Sequence, residues 1–198
     1  MKIQQEVISY LLIFLVAITI VSIIIYYYLP YIKKMQDEIK VKTIYSRIFD
    51  RSLENSLTRS LQKVIFLKEI TKTEIGYDVV WSLTSKSIEA KFYSSVCPTI
   101  PNDQFVLLDG CTKDECHINA DLFYKVEVKS KKVENECEIT YRLSIANNLK
   151  LQDKNVIISF VFQRSQFSSK YLMLSLSREE VIGNNIYYDI RVEAWKIK

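Results

Sequence analysis

The sequence is poor in glycine, proline and histidine. It contains three Gly, three Pro and one His in 198 residues. So few glycines and prolines argue against a disordered chain and against Gly-rich or collagen-like repeats. The chain is therefore expected to fold, and any catalysis by a histidine base would have to use His117.

Motifs of the common enzyme classes are also missing. The sequence has no G-x-x-x-x-G-K-[ST], no G-x-G-x-x-G and no H-E-x-x-H, which removes the simplest signatures of nucleotide binding and of zinc proteolysis. His117 follows Cys116 in a cysteine-rich segment, where a surface histidine is more common than a catalytic one. We predict no enzyme activity, no catalytic residue, no cofactor and no bound metal. A membrane-tethered enzyme that uses the Cys116–His117 loop is a distant alternative.

The charge of the chain is small and evenly spread. The formal net charge is +4, with 27 basic and 23 acidic residues, and the two signs are interleaved. A nucleic-acid-binding domain usually concentrates its basic residues on one face. We therefore expect no nucleic acid partner.

One long apolar run stands near the N-terminus. No residue from Val7 to Leu29 is charged, and a helix of this length, at about 1.5 Å per residue, exceeds the ~30 Å hydrocarbon core of a bilayer. A cleavable signal has an apolar region of only about 7 to 15 residues, so this one is expected to be kept. Four tyrosines at its end form an aromatic belt typical of the membrane interface: Tyr26, Tyr27, Tyr28 and Tyr31. Residues 1–30 are predicted to be a transmembrane or assembly helix.

The helical pattern continues after Pro30. Apolar residues recur mostly at three-to-four spacing, as in an amphipathic helix, at Ile32, Met35, Ile39, Ile44, Ile48, Leu53, Leu57, Leu61 and Ile65. Residues 31–72 are therefore predicted to continue the first helix, with a kink where Pro30 removes a backbone hydrogen bond.

The period changes to two beyond Gly76. Eight segments rich in β-branched and aromatic residues alternate between apolar and polar positions and are separated by polar turns. Helical patterns are missing between them, which argues against a parallel α/β sheet. The predicted fold class is α+β, with the long N-terminal helix followed by an antiparallel β-sandwich over residues 76–198.

The four cysteines all lie in this second part. Their even number is typical of disulfides formed in an oxidising compartment, which favours an extracytoplasmic domain. Three pairings are possible, and we favour Cys97 with Cys111 and Cys116 with Cys137. A zinc site that adds His117 to these cysteines is one alternative, and free buried thiols are another.

The lysines beside the apolar run favour the opposite topology. Lys33, Lys34, Lys40 and Lys42 follow the run, whereas only Lys2 precedes it. By the positive-inside rule this would place the large domain in the cytoplasm. We give the cysteines more weight.

The N-terminal sequence MKIQQEVISYLLIFLVAITIVSIII resembles that of archaeal type IV pilin-like proteins. The resemblance lies in a basic residue, a short polar stretch and the start of an apolar helix, at Lys2, Gln4, Gln5, Glu6, Tyr10, Leu11 and Leu12. It implies insertion with the N-terminus in the cytoplasm, trimming by a prepilin peptidase, and assembly into a filament through the helix. In this family the outer domain is often a β-sandwich.

The resemblance implies a pilin-like structural subunit, major or minor, of a surface filament. Its partners would be the membrane and copies of itself, with other pilin-like proteins or a surface layer as further candidates. Glu6 would help to set the register between subunits. The candidate assembly residues are Glu6, Tyr10, Leu11, Leu12, Phe14, Ile18, Ile24 and Pro30.

The alternative is a membrane-anchored extracytoplasmic binding or stator-type accessory protein. Stator-like proteins of the archaeal swimming filament have a similar layout of one N-terminal helix and a β-sandwich. In that case the segment from Pro30 to Ile70 would be a stalk or a dimerising rod.

Overall fold

The computed structural model describes residues 2–101, 103–113, 115–118 and 122–195, with side chains from Tyr10 onward. The chain divides into two compact units, residues 1–39 and residues 40–198. The predicted role of Glu6 concerns a side chain outside the described ones.

In the described part of the chain, two helices precede the strands. Helix α1 covers Lys2–Phe49 and contains Pro30, and helix α2 covers Leu57–Leu67. The predicted helix is therefore interrupted between them. Polar side chains offer the backbone other partners in the gap: Asp50 accepts a hydrogen bond from Ser52 N at 2.9 Å, and the N-cap Ser56 accepts one from Arg59 N at 3.3 Å.

Among the residues that the structure describes, ten strands follow, and they include strand structure in all eight predicted segments. Two short strands, β4 and β7, were not predicted, because two or three residues carry no readable alternation. The strands are β1 (Thr71–Leu83), β2 (Ser87–Ser94), β3 (Val106–Gly110), β4 (Cys116–His117), β5 (Tyr124–Val133), β6 (Glu136–Ile145), β7 (Leu149–Leu151), β8 (Lys154–Val161), β9 (Gln166–Ile182) and β10 (Asn185–Ala194).

The described strands form one curled, mixed sheet in the order β3-β5-β6-β2-β1-β9-β10-β8-β7-β4. The α+β class is confirmed, but two facing sheets of a sandwich are not. The expectation of purely antiparallel pairing is wrong for β8 with β10 and for β4 with β7, which are parallel. Alternation in a strand identifies its buried face and not its neighbour, so it could not show that β10 inserts between β8 and β9.

Bulges accompany the curling of the sheet. The register of β1 against β9 shifts between Glu74 and Val79, around Gly76 with its φ of +82°. The edge strand β3 has a shift between Leu107 and Asp109. Bulges bend strands and increase their twist, and at an edge they discourage pairing with another chain.

The core of the second unit lies between the helices and one face of the sheet. Ile44 and Ile48 of α1 and Leu57 and Leu61 of α2 are fully buried, as is Trp81 of β1. All belong to one hydrophobic cluster with the inward positions of the strands. The predicted amphipathic pattern thus marks the core-facing side of these helical turns.

An aromatic cluster fixes the end of α1 against the sheet. The ring of Tyr141 in β6 lies 5.6 Å from the rings of Tyr45 and Phe49, and 5.8 Å from that of Phe92. Aromatic pairs at such distances add about 0.5–1.5 kcal/mol each beyond the area that they bury. Burial raises the pKa of Tyr141 to about 12.

We expect the stability of this domain to fall between pH 10 and 12. The folded pKa of Tyr141 is about 12 and its ordinary value is 10.0. The neutral phenol therefore stabilises the fold fully below pH 10, and this contribution is lost as the pH rises through about 12, at up to ~1.4 kcal/mol per pH unit. Urea unfolding of the full chain at several pH values would measure it. Tyr141→Phe should flatten the profile, and an unchanged profile would contradict the assignment to this residue.

Candidate membrane and assembly segment

The apolar part of α1 is exposed along its described length. From Tyr10 to Leu29 its large apolar side chains are 49–76% accessible. The most apolar 18-residue window has a mean hydropathy of 2.6 and none of it is buried. By length and composition the helix can cross a membrane. The core helix of a soluble protein is mostly buried, whereas this window is exposed.

Exposure of this segment to water would be costly. Burial of one Val, Leu, Ile or Phe side chain contributes about 1.5–3 kcal/mol, so a helix carrying many of them needs an apolar environment. The hydroxyl of Thr19 donates to the carbonyl of Leu15 at 2.8 Å, which satisfies it within the helix. The segment is therefore compatible with either lipid or close contact with other apolar helices.

The predicted assembly residues are all exposed where they are described. Tyr10, Leu11, Leu12, Phe14, Ile18 and Ile24 are 49–73% accessible, and Pro30 lies on the same helix. Apolar residues occupy every side of the helix in this stretch and form no single stripe. The structure accordingly does not distinguish one of these residues as a specific contact.

The four tyrosines of the predicted aromatic belt are also exposed. Tyr26, Tyr27, Tyr28 and Tyr31 are 60–76% accessible, and the rings of Tyr26 and Tyr27 meet edge to face at 5.6 Å. Lys33 and Lys34 follow at once. An aromatic group followed by cations is the usual boundary between the hydrocarbon core and the aqueous phase.

The cysteines form two disulfides, with a pairing that differs from the favoured one. Cys97 is bonded to Cys137 and Cys111 to Cys116, with Cα–Cα distances of 5.4 and 6.3 Å. The favoured pairing, Cys97 with Cys111 and Cys116 with Cys137, is wrong. The strand register explains the observed pairing. Ser94 at the end of β2 lies opposite Cys137 in β6, and this brings Cys97 within reach of Cys137.

The Cys111–Cys116 bond links the two edges of the sheet. Cys111 N donates to the carbonyl of Tyr124 in β5 at 3.1 Å, and Cys116 N donates to that of Asn148 at 3.3 Å. Cys116 also pairs with Leu149 of β7. Since β3 and β4 are the outermost strands, this disulfide brings the opposite edges of the curled sheet together. Only the strand order could show this.

Loss of the Cys97–Cys137 bond is expected to destabilise the domain more than loss of the Cys111–Cys116 bond. The two bonds close loops with sequence separations of 40 and 5. In the loop-entropy account they contribute about 4 and about 2 kcal/mol. Urea unfolding of the paired serine variants would compare them. An equal or larger loss for C111S/C116S would show that joining the sheet edges matters more than loop length.

The disulfides also bear on the enzyme and zinc alternatives. Cys116 is bonded to Cys111, so its sulfur is not a thiolate that His117 could activate. In the part of the chain that the structure describes, no three His, Cys, Asp or Glu side chains are grouped so as to hold a metal. The four proposed zinc-binding sulfurs are instead paired with one another.

Comparison with known proteins returned no match. No protein-family model, no curated protein and no solved structure matches this chain.

Proposed function

We propose that this protein is a pilin-like structural subunit of a surface filament that assembles through the apolar part of α1. The observation that carries the proposal is the accessibility of 49–76% for the large apolar side chains from Tyr10 to Leu29. The resemblance of the N-terminal sequence to archaeal type IV pilin-like proteins adds the mode of assembly. The curled sheet supplies the outer domain, which the resemblance implies to be a β-sandwich.

Assembly through the apolar helix also has a physical reason that is independent of the resemblance to pilin-like proteins. A spanning helix that leaves the bilayer loses its apolar solvent, and identical helices packed around it can replace the lipid. A helix that is apolar on every side suits the interior of such a bundle. Glu6, at the edge of the apolar run, would then need a cationic partner on a neighbouring subunit, because an unpaired buried charge is costly.

The disulfides support an extracytoplasmic position for residues 40–198. Structural disulfides persist in oxidising compartments and are rare in the cytosol, and two are formed here. The lysines after the span favour the reverse topology. Protease treatment of intact cells tests the point: digestion of the domain supports the outer location, and protection of the domain until the cells are lysed contradicts it.

Filament formation can be tested directly. Cells that express the protein are sheared, the released material is pelleted, and it is examined by electron microscopy with an antibody to the β-domain. We expect labelled filaments. Protein that stays entirely in the membrane fraction, with no labelled filament, would contradict the proposal.

The exposed tyrosine belt favours a second candidate, the membrane-anchored binding or stator-type protein. Interfacial tyrosines hold a helix at a fixed depth in a bilayer, and a filament core has no such requirement. Replacement of residues 7–29 by an unrelated spanning helix should preserve the function of an anchored protein. Loss of function with normal membrane insertion would count against this candidate and support assembly through the native helix.

A further inference from the structure

The outer face of the sheet, opposite the core, carries polar side chains in cross-strand rows. On the neighbouring strands β2, β6 and β5, Ser144 lies opposite both Ser87 and Lys125. In the next row Arg142 lies opposite both Glu89 and Glu127. The two rows are adjacent but differ in how their charges are satisfied.

The charges in the row of Arg142 are paired with one another. Its guanidinium contacts Glu89 at 2.7 Å and Glu127 at 3.8 Å. The ring of Phe105 covers it, with the guanidinium carbon 3.5 Å from the ring centroid. With two carboxylates and an aromatic cover, Arg142 is committed to the structure of the sheet.

The row of Ser144 borders a cleft. Ser87, Ser144 and Lys125 line a cleft of about 370 Å³ together with Lys86, from the turn between β1 and β2, and Asn147, which follows β6. Among the residues that the structure describes, neither Lys86 nor Lys125 forms an ion pair. Glu127 and Arg142 also line it, with a carboxylate oxygen of Glu127 3.8 Å from Nη1 of Arg142. The hydroxyl of Ser87 is hydrogen-bonded to that of Thr84 at 2.7 Å. Two ammonium groups without an ion pair and two hydroxyl groups therefore border one cleft, and the carboxylate in its lining is paired with Arg142.

A second cleft adjoins the first and is lined by amides. It measures about 550 Å³ and shares Lys86, Ile145 and Asn147 with its neighbour. It adds Asn148 and Asn155, and an ion pair of Lys150 with Glu115 at 2.7 Å. Its apolar lining is aliphatic.

We propose that these two clefts form one groove that binds an acidic saccharide. The ammonium groups of Lys86 and Lys125, with the two serine hydroxyls, match a carboxylate or sulfate group. Side-chain amides both donate and accept hydrogen bonds, as sugar hydroxyls do. Both cleft volumes lie in the range of about 300–1,000 Å³ that is typical of ligand sites. The assignment is independent of whether α1 anchors the protein or assembles it.

The test is isothermal titration calorimetry of the full chain in detergent micelles. Three probes are titrated into it: trigalacturonate, a sulfated trisaccharide and inorganic sulfate. We expect at least one trisaccharide to bind ten or more times as tightly as inorganic sulfate. The preferred trisaccharide identifies the acidic group as carboxylate or sulfate. No trisaccharide binding, or binding no tighter than that of inorganic sulfate, would overturn the assignment.

Variants distinguish specific binding in the groove from a general attraction of anions to positive charge. K86A/K125A should weaken trisaccharide binding at least tenfold. The matched control K131A/R191A removes the same charge from exposed positions elsewhere on the sheet and should change the affinity less than twofold. N147A should weaken the trisaccharide more than it weakens sulfate. Equal losses in the two double variants would overturn the proposal, and unchanged thermal unfolding of K86A/K125A would show that the fold is intact.

Discussion

A charge placed at Ile18 or Ile24 is expected to abolish filaments. Both positions lie within the apolar part of α1, with side chains 50% and 49% accessible. An aspartate at the centre of an apolar helix costs about 2.5–3.5 kcal/mol even in the permissive setting of membrane insertion. In a bundle of identical helices every subunit would carry this cost. Counting sheared filaments from cells that express Ile18→Asp would measure the effect.

Two control variants sharpen this experiment. Ile18→Val keeps the apolar character and should give normal filaments. Gln36→Asp places the same charge on α1 after the apolar segment, at an exposed position, and should also be tolerated. Alkaline extraction of membranes would show whether Ile18→Asp is still inserted. Normal filaments from the inserted Ile18→Asp protein would rule out a core built from this segment.

Replacement of Trp81 by alanine is expected to lower the free energy of unfolding of the β-domain by about 3–5 kcal/mol. Its side chain is fully buried in β1, and its indole Nε1 donates to the carbonyl of Ser169 in β9 at 3.0 Å. The substitution leaves both a cavity and an unsatisfied carbonyl, a combination typical of large losses. Since a domain is stabilised by about 5–15 kcal/mol in all, this loss is a large fraction of its stability.

The second tryptophan provides a matched control. Trp195 is 41% accessible, and Lys72 lies 5.4 Å from its ring, a contact worth about 0.5–1 kcal/mol at an exposed site. Trp195→Ala should therefore cost about 1 kcal/mol or less. Urea unfolding followed by circular dichroism would compare the two variants. Equal losses would contradict the assignment of Trp81 as the core anchor.

The sequence predicted the main elements of the fold because periodicity is a local property. The uncharged run from Val7 to Leu29 predicted an apolar helix long enough to span a membrane, and alternation predicted strand structure in eight segments. The interruption at residues 50–56 was missed, because apolar residues continue across it at Leu53, Leu57 and Leu61 with helix-like spacing. The nine positions from Ile48 to Leu57 are about two and a half turns of a continuous helix, so the apolar side reverses across the break. Local hydrogen bonds of Asp50 and Ser56 accompany the break.

The sequence by itself determined that this protein has an apolar helix able to cross a membrane, a strand-rich domain and an even set of cysteines. Tertiary structure decided which strands are neighbours, and with them the Cys97–Cys137 and Cys111–Cys116 pairing and the groove beside Lys86 and Lys125. The physical reason is that hydrophobic periodicity depends on residues a few positions apart. A disulfide or a groove instead depends on which distant strands share hydrogen bonds, and one face of a strand can pack equally well beside several partners.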